Sequence, residues 1–191
     1  MAPRCKGTAY LVRYADDFVV GFQRESEANQ FSRVVRERLA RFNLELADNK
    51  TRLLRFGRLP SNLGEKTGKF DFLGFQHVCG QDRQGRFAVI RLPTRKSCSK
   101  FLVNVKAKLE KIRSARGYDQ QRVLSQMLNG FFHYFGLNAT KERLNLVRLY
   151  VIQAWRKAIR KQGQRSKYAW YILKRKPWFK LPNPQVYHPN V

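Results

Sequence analysis

Leu11-Val12-Arg13-Tyr14-Ala15-Asp16-Asp17-Phe18-Val19-Val20-Gly21-Phe22 sets two adjacent carboxylates between two short apolar runs rich in β-branched residues. Val, Phe and Tyr suit a pleated, half-buried surface, so the flanking runs, Thr8–Tyr14 and Phe18–Phe22, read as strands. Ala15-Asp16-Asp17 is then the turn of a hairpin, with both acids at its tip. Neighbouring carboxylates on a rigid scaffold repel each other unless a cation lies between them. They are natural oxygen ligands for Mg²⁺, a hard ion commonly held by one or two carboxylates plus substrate phosphates.

Working outward, the whole chain has 191 residues, enough for one ordinary domain or two small ones. Hydrophobic residues make up 43%, so a core can form, and 39 Lys and Arg against 13 Asp and Glu give a formal net charge of +26. Such a balance points to a polyanion, above all nucleic acid, and its aromatic content suits nucleic acid better than an acidic membrane. Cys5, Cys79 and Cys98 are too scattered for a disulfide framework or a zinc site, and they fit a reducing compartment. No apolar run approaches the ~20 residues of a membrane-spanning helix, and the N-terminus lacks a signal-peptide pattern. The expectation is a cytoplasmic protein with no membrane partner.

After the hairpin, Ser26 is placed to cap a helix reaching about Phe42, with Ala28, Phe31, Val35, Leu39 and Phe42 forming one apolar stripe that covers a sheet. Asn43–Leu46 and Thr51–Phe56 read as short extended pieces around the turn Asp48-Asn49-Lys50. Residues 57–69, with Pro60, Ser61, Asn62, Gly64 and Gly68, form a loop by composition. Phe70-Asp71-Phe72-Leu73-Gly74-Phe75 reads as a strand that Gly74 interrupts, as glycines do at bulges and close backbone approaches. Arg86–Leu92 pairs with Gln76–Gly80 across the turn 81–85.

Pro93 marks a change of composition. Three helical patterns follow. The first, about Ser97–Ala115, turns Phe101, Val105, Leu109 and Ile112 inward and Lys100, Lys106, Lys108 and Lys111 outward, and ends at Gly117. The second runs from a cap at Asp119 to Tyr134, with Val123, Met127, Leu128 and Phe131 apolar. The third, about Thr140–Lys161, buries Leu144, Val147, Val151 and Trp155 and carries Arg156, Lys157, Arg160 and Lys161. The tail from Gly163 mixes Tyr168, Trp170, Tyr171, Trp178 and Phe179 with Arg165, Lys167, Lys174, Arg175, Lys176 and Lys180. That mixture suits bases stacking on rings and phosphates meeting cations. It equally suits a tail wrapped back over the helices. The sequence thus divides into 1–93, 94–162 and 163–191, an α+β unit of antiparallel sheet with one packing helix, an all-α three-helix unit and a basic aromatic tail.

Tyr14-Ala15-Asp16-Asp17 with its flanking strands resembles the catalytic hairpin of reverse transcriptases. Arg13-Tyr14-Ala15-Asp16-Asp17-Phe18-Val19-Val20 resembles the group II intron-encoded, retron-type branch in particular. The order of hairpin, helix, Lys50-Thr51 and Phe72-Leu73-Gly74-Phe75 is also that family's order. The resemblance covers Thr8–Leu92 and implies a partial polymerase palm, with Phe72, Leu73, Gly74 and Phe75 as the primer grip. Leu128-Asn129-Gly130-Phe131-Phe132-His133-Tyr134-Phe135 is similar to a segment of the maturase-specific region, so the helices would be a thumb-like domain.

The resemblance implies RNA-directed DNA synthesis with Asp16 and Asp17 as catalytic Mg²⁺ ligands and Lys50 near the triphosphate. A pair of Mg²⁺ ions clamping a phosphoryl transfer is the mechanism polymerases use. Arg13, Lys100, Lys106, Lys108, Lys111, Arg156, Lys157, Arg160, Lys161, Lys174, Arg175 and Lys176 are the candidates for contact with RNA and a DNA primer. The family's earlier palm aspartate and its fingers have no counterpart in the seven residues before Thr8. The chain therefore resembles a C-terminal half that does not polymerise alone, with a separate chain as one possible source of the missing parts. The alternative is a non-enzymatic maturase-like protein that binds intron RNA and assists splicing.

Overall fold

A computed structural model describes residues 5–58, 67–82, 84–161 and 170–189. The chain is α+β and divides into two compact units, residues 1–72 and 73–191. The change of composition at Pro93 falls inside the second unit, which also holds a strand hairpin.

In the first unit, β1 (Ala9–Tyr14) and β2 (Asp17–Phe22) form an antiparallel hairpin that starts with Tyr14 opposite Asp17. The connection is only Ala15-Asp16, so Asp17 belongs to the strand rather than to the turn expected at residues 15–17. Helix α1 spans Glu25–Ala40, and Phe31 meets Phe22 of β2 with ring centroids 5.2 Å apart. Ser26 does not cap it. Arg24 holds the N-cap position without a side-chain bond, and Glu25 and Glu27 in the first turn favour the positive helix end.

The helix stops at Asn43, whose φ is +56°. There the Leu44 amide donates to the Leu39 carbonyl at 3.0 Å and the Asn43 amide to Ala40 at 3.1 Å. This is a Schellman stop with Asn in the left-handed position. It leaves Phe42 outside the stripe and 67% exposed. Residues 43–46 and 51–56 form no strand, contrary to expectation. The Gly68 amide donates to the Arg55 carbonyl at 2.8 Å, and Phe56 meets Phe70 edge-on at 5.0 Å. Strand β3 (Phe70–Phe72) closes the unit. Residues 59–66 of the expected loop lie outside the described residues.

No described residue of this unit is buried. The stripe of α1 is half-covered because a two-stranded sheet offers too little surface. Polar contacts hold the unit instead. Glu27 accepts from the amides of Lys6 and Gly7 at 2.7 and 3.0 Å, Arg55 pairs with Glu25 at 3.0 Å, and Arg36 pairs with Asp48. Exposed pairs of this kind contribute about 0–1 kcal/mol each.

The second unit holds the core. Strands β4 (Phe75–Gln81) and β5 (Phe87–Pro93) pair antiparallel, a longer hairpin than the sequence suggests. Helix α2 (Arg95–Lys111) begins where Thr94 accepts from the Ser97 amide at 3.0 Å. Helix α3 runs Gly117–Phe135 and helix α4 Lys141–Arg160, with a 3₁₀ turn at Asn138–Thr140 between them. A short helix, α5, spans Trp170–Arg175. Gly117 opens α3 rather than ending α2, and Asp119 is no cap but pairs with Arg122 at 3.6 Å. An added Cβ at Gly117 would stand 2.5 Å from the Trp178 indole, so a side chain there is excluded by the tail.

Val105, Leu124, Leu128, Phe132, Leu144, Val151 and Trp155 are buried together. The expected inward residues of α4 are all there, whereas Phe101 and Ile112 of the first stripe are half-buried. Buried Gln120 is fully used. Its amide donates to the carbonyls of Ile112, Arg113 and Ala115, the open C-terminal end of α2, and its oxygen accepts from the Trp155 indole at 2.7 Å. Buried Thr140 bridges the end of α3 in the same manner, donating to Phe135 at 2.7 Å. Of the two readings of the tail, Trp178 and Phe179 take the wrapped one. Phe179 stacks on Trp155 at 4.6 Å, and Trp178 lies 5.8 Å from it. Residues 162–169, including Gly163, Arg165, Lys167 and Tyr168, lie outside the described residues.

Amide hydrogen exchange should separate the units. Protection is expected to be strongest across α3 and α4 and weak throughout β1, β2 and α1, since local stability follows buried contact. Equal protection in the two units would contradict a core confined to the second.

Candidate active site

The tip of the first hairpin is built from its turn. A two-residue loop has to reverse the chain in the sense of the strand twist, which requires a positive φ at its first residue or at both. Ala15 carries φ +53° and Asp16 has no positive φ, so alanine stands where glycine would be unstrained. Arg13 supports the turn, its Nε donating to the Ala15 carbonyl at 2.8 Å. One nitrogen of Arg13 is therefore structural. Asp16 sits in the turn and Asp17 is the first residue of β2, both exposed. Two oxygen-rich, adjacent side chains are thus presented outward.

These donors fit a hard divalent ion as part of its shell, the remainder coming from water and phosphate oxygens. The described residues contain no group of three or more His, Cys, Asp or Glu able to hold a metal. Lys50 lies in the turn at residues 48–50, exposed, its amide donating to the Ala47 carbonyl at 2.9 Å.

The Phe72-Leu73-Gly74-Phe75 string is a turn rather than an interrupted strand. Phe72 ends β3 and Phe75 begins β4. Leu73 has φ +49° and Gly74 φ +77°, the two positive values of a I′ turn. The Leu–Gly pair between strands is a signal for this, once the second residue is read as a turn glycine. What the sequence does not reveal is the support. The Tyr134 hydroxyl donates to the Leu73 carbonyl at 2.9 Å. The Thr94 amide and the Ser97 hydroxyl donate to the Gly74 carbonyl at 2.9 and 3.2 Å. Three donors fix the two turn carbonyls, one on Leu73 and two on Gly74, around a leucine in a backbone region where bulky residues are outliers.

The basic candidates fall into two groups. Lys100, Lys106, Lys108 and Lys111 are exposed on α2, as are Lys157, Arg160 and Lys161 at the end of α4. Arg156 is half-buried and lies 5.2 Å from the centroid of Trp170, with the Lys174 ammonium 5.0 Å from the same ring. Both cations contact an aromatic face. Arg175 is exposed and Lys176 half-buried. Cys98 is free, and burial pushes its thiol up, partly offset by the Arg143 charge. That suits a small packing residue rather than a nucleophile. Among the described residues no helix is long and apolar enough to cross a membrane.

Residues 2–77 match the family model described as reverse transcriptase (RNA-dependent DNA polymerase). The match covers less than half of the chain and takes in the acidic hairpin, α1, Lys50 and the Phe72–Phe75 turn. Over these residues the chain is similar to that family. Comparison with curated proteins and with solved structures gave no match.

Ala15→Gly should stabilise the hairpin. The left-handed penalty of about 1–2 kcal/mol disappears, against an unfolded-state cost of about 0.4–1 kcal/mol. Strengthened cross-strand amide protection from Tyr14 to Phe18 is the expected readout, and weakened protection would show that the turn is unstrained.

Proposed function

We propose that this chain is part of a group II intron-type RNA-directed DNA polymerase, with Asp16 and Asp17 as ligands for Mg²⁺. The observation carrying this is the doublet on a strained two-residue turn, inside the segment that matches the reverse transcriptase family. When bound, Mg²⁺ would neutralise phosphate charge and position the reacting oxygens. The chain's own contribution is to hold two carboxylates at a fixed spacing on backbone that the Arg13–Ala15 bond braces. The Leu73–Gly74 turn would act as a primer grip, and a rigid turn is what positioning a strand end within an ångström requires. Lys50 would serve near the triphosphate, where an ammonium stabilises or protonates a leaving pyrophosphate.

Among the described residues no third ligand stands beside the two carboxylates, and two carboxylates bind Mg²⁺ weakly, so these 191 residues are proposed to be inactive by themselves. Fingers and an early palm strand, on the same polypeptide or on another, would complete the site. Primer extension on a homopolymer template with Mg²⁺ and dNTPs should give no product from the chain by itself. With the complementary portion of a group II intron reverse transcriptase added, synthesis should appear, and Asp16→Asn or Asp17→Asn should each reduce it by about a hundredfold or more. Synthesis indifferent to both substitutions would contradict the proposal.

One observation favours a second reading, maturase-like binding of folded intron RNA. Charge is segregated, with 25 of the 39 Lys and Arg but only 4 of the 13 Asp and Glu in residues 73–191. RNA affinity should then fall steeply with salt, as each phosphate contact releases counterion. Asp16→Ala with Asp17→Ala should leave that affinity unchanged. A flat salt dependence would remove the basic unit as the interface.

A further inference from the structure

The second unit contains an open groove of about 400 Å³ between the Leu73–Gly74 turn, the first turns of α2 and the end of α3. Its apolar lining comes from rings. Phe101 and Phe131 stack at 4.3 Å, and Phe131 meets Phe135 at 4.7 Å. Tyr134 forms a further wall. It is 53% exposed, yet its ring is fixed, stacked on Phe75 at 5.6 Å and hydrogen-bonded to Leu73. An exposed aromatic face held rigid at both ends has lost its conformational freedom before any ligand arrives, which lowers the cost of binding.

The polar lining has one sign. Lys100 and Asn104 stand on the solvent side of α2, both exposed. Arg95 and Lys96 precede them, and the first turn of α2 has no acidic residue. A flat apolar slot beside a cation, with an amide able to reach a ring edge, is complementary to a group that is planar on one side and anionic on the other. A nucleotide of an unpaired strand has that form. Stacked pairs within a duplex keep their faces covered and cannot enter a groove of this kind.

We propose that this groove binds single-stranded nucleic acid, taking one unpaired base against Tyr134 and Phe101 while Lys100 meets an adjacent phosphate. Asn104 would contact the base edge. The assignment rests on the nucleic-acid reading given above, but it uses no residue of the acidic hairpin. The strained Leu73–Gly74 turn gains a second role as one wall of a base pocket, which accounts for the three donors that fix its carbonyls.

The test uses the full chain and fluorescence anisotropy. The probes are an unstructured ten-nucleotide RNA, its DNA counterpart and an abasic ten-mer with the same phosphates. The base-bearing strands should bind about tenfold more tightly than the abasic one, the scale of one base–aromatic stack. Tyr134→Ala should erase that ratio while leaving abasic binding intact, and Tyr134→Phe should keep it. Should Tyr134→Ala fail to fold, Asn104→Trp blocks the groove from an exposed position and should also erase the ratio. Lys100→Ala should weaken all three probes alike and reduce the salt slope by about 0.7. A wild-type ratio near one, or a ratio that survives both Tyr134→Ala and Asn104→Trp, overturns the proposal. Asp16→Asn with Asp17→Asn should bind all probes as the wild type does. Loss of polymerase chemistry would then leave the groove standing, and loss of the groove would leave the chemistry to its own test.

Discussion

A two-residue turn is the shortest link that lets two antiparallel strands stay in register, and it leaves little freedom in the backbone that carries its side chains. In this hairpin that constraint fixes Asp16 on the turn and Asp17 one step into the strand. Like charges on adjacent residues oppose each other, and Ala15 adds backbone strain beside them. Strain and repulsion at one point are costs that a structural turn would shed by placing glycine or a neutral residue there. Strained backbone gathers at sites where it has a use, and the Mg²⁺ proposed above would relieve the repulsion.

The two units handle stability differently. Residues 73–191 are organised by the Trp155 neighbourhood, where indole, Gln120, Phe179 and the α2 carbonyls interlock. Residues 1–72 have no buried side chain among those described, and Tyr10, Leu11, Val12 and Tyr14 remain largely exposed on β1. The acidic hairpin is therefore the less protected part of the molecule. Its exposed apolar residues and the strand edges of its two-stranded sheet, which pair with no further strand among the described residues, favour aggregation when left uncovered. The basic charge lies mostly in the other unit, residues 73–191.

The sequence carried the first hairpin, all four long helices and the apolar stripe of α4, because periodicity and β-branched runs are local signals. It misplaced what depends on distant partners. Ser26 looked like a cap by residue type, but the chain enters the helix two residues earlier. Asn43 suggested the start of an extended piece, whereas its tolerance of left-handed backbone made it a helix stop. Gly117 suggested an ending, yet the position needs glycine because the Trp178 ring lies against it. Trp178 and Phe179 could not be assigned from composition, since rings among cations suit a core and a nucleic-acid surface alike. At the candidate site the two aspartates were legible as a pair. The turn strain, the Arg13 brace and the tyrosine holding Leu73 were not, for each depends on backbone angles or on residues far away in sequence.

The most direct measurement is paramagnetic broadening of amide resonances by Mn²⁺, standing in for Mg²⁺, across the assigned spectrum of the intact chain. The hairpin account predicts broadening centred on Ala15, Asp16 and Asp17 at millimolar ion, abolished in Asp16→Asn with Asp17→Asn. Broadening centred elsewhere, or an unaffected hairpin tip, would contradict it.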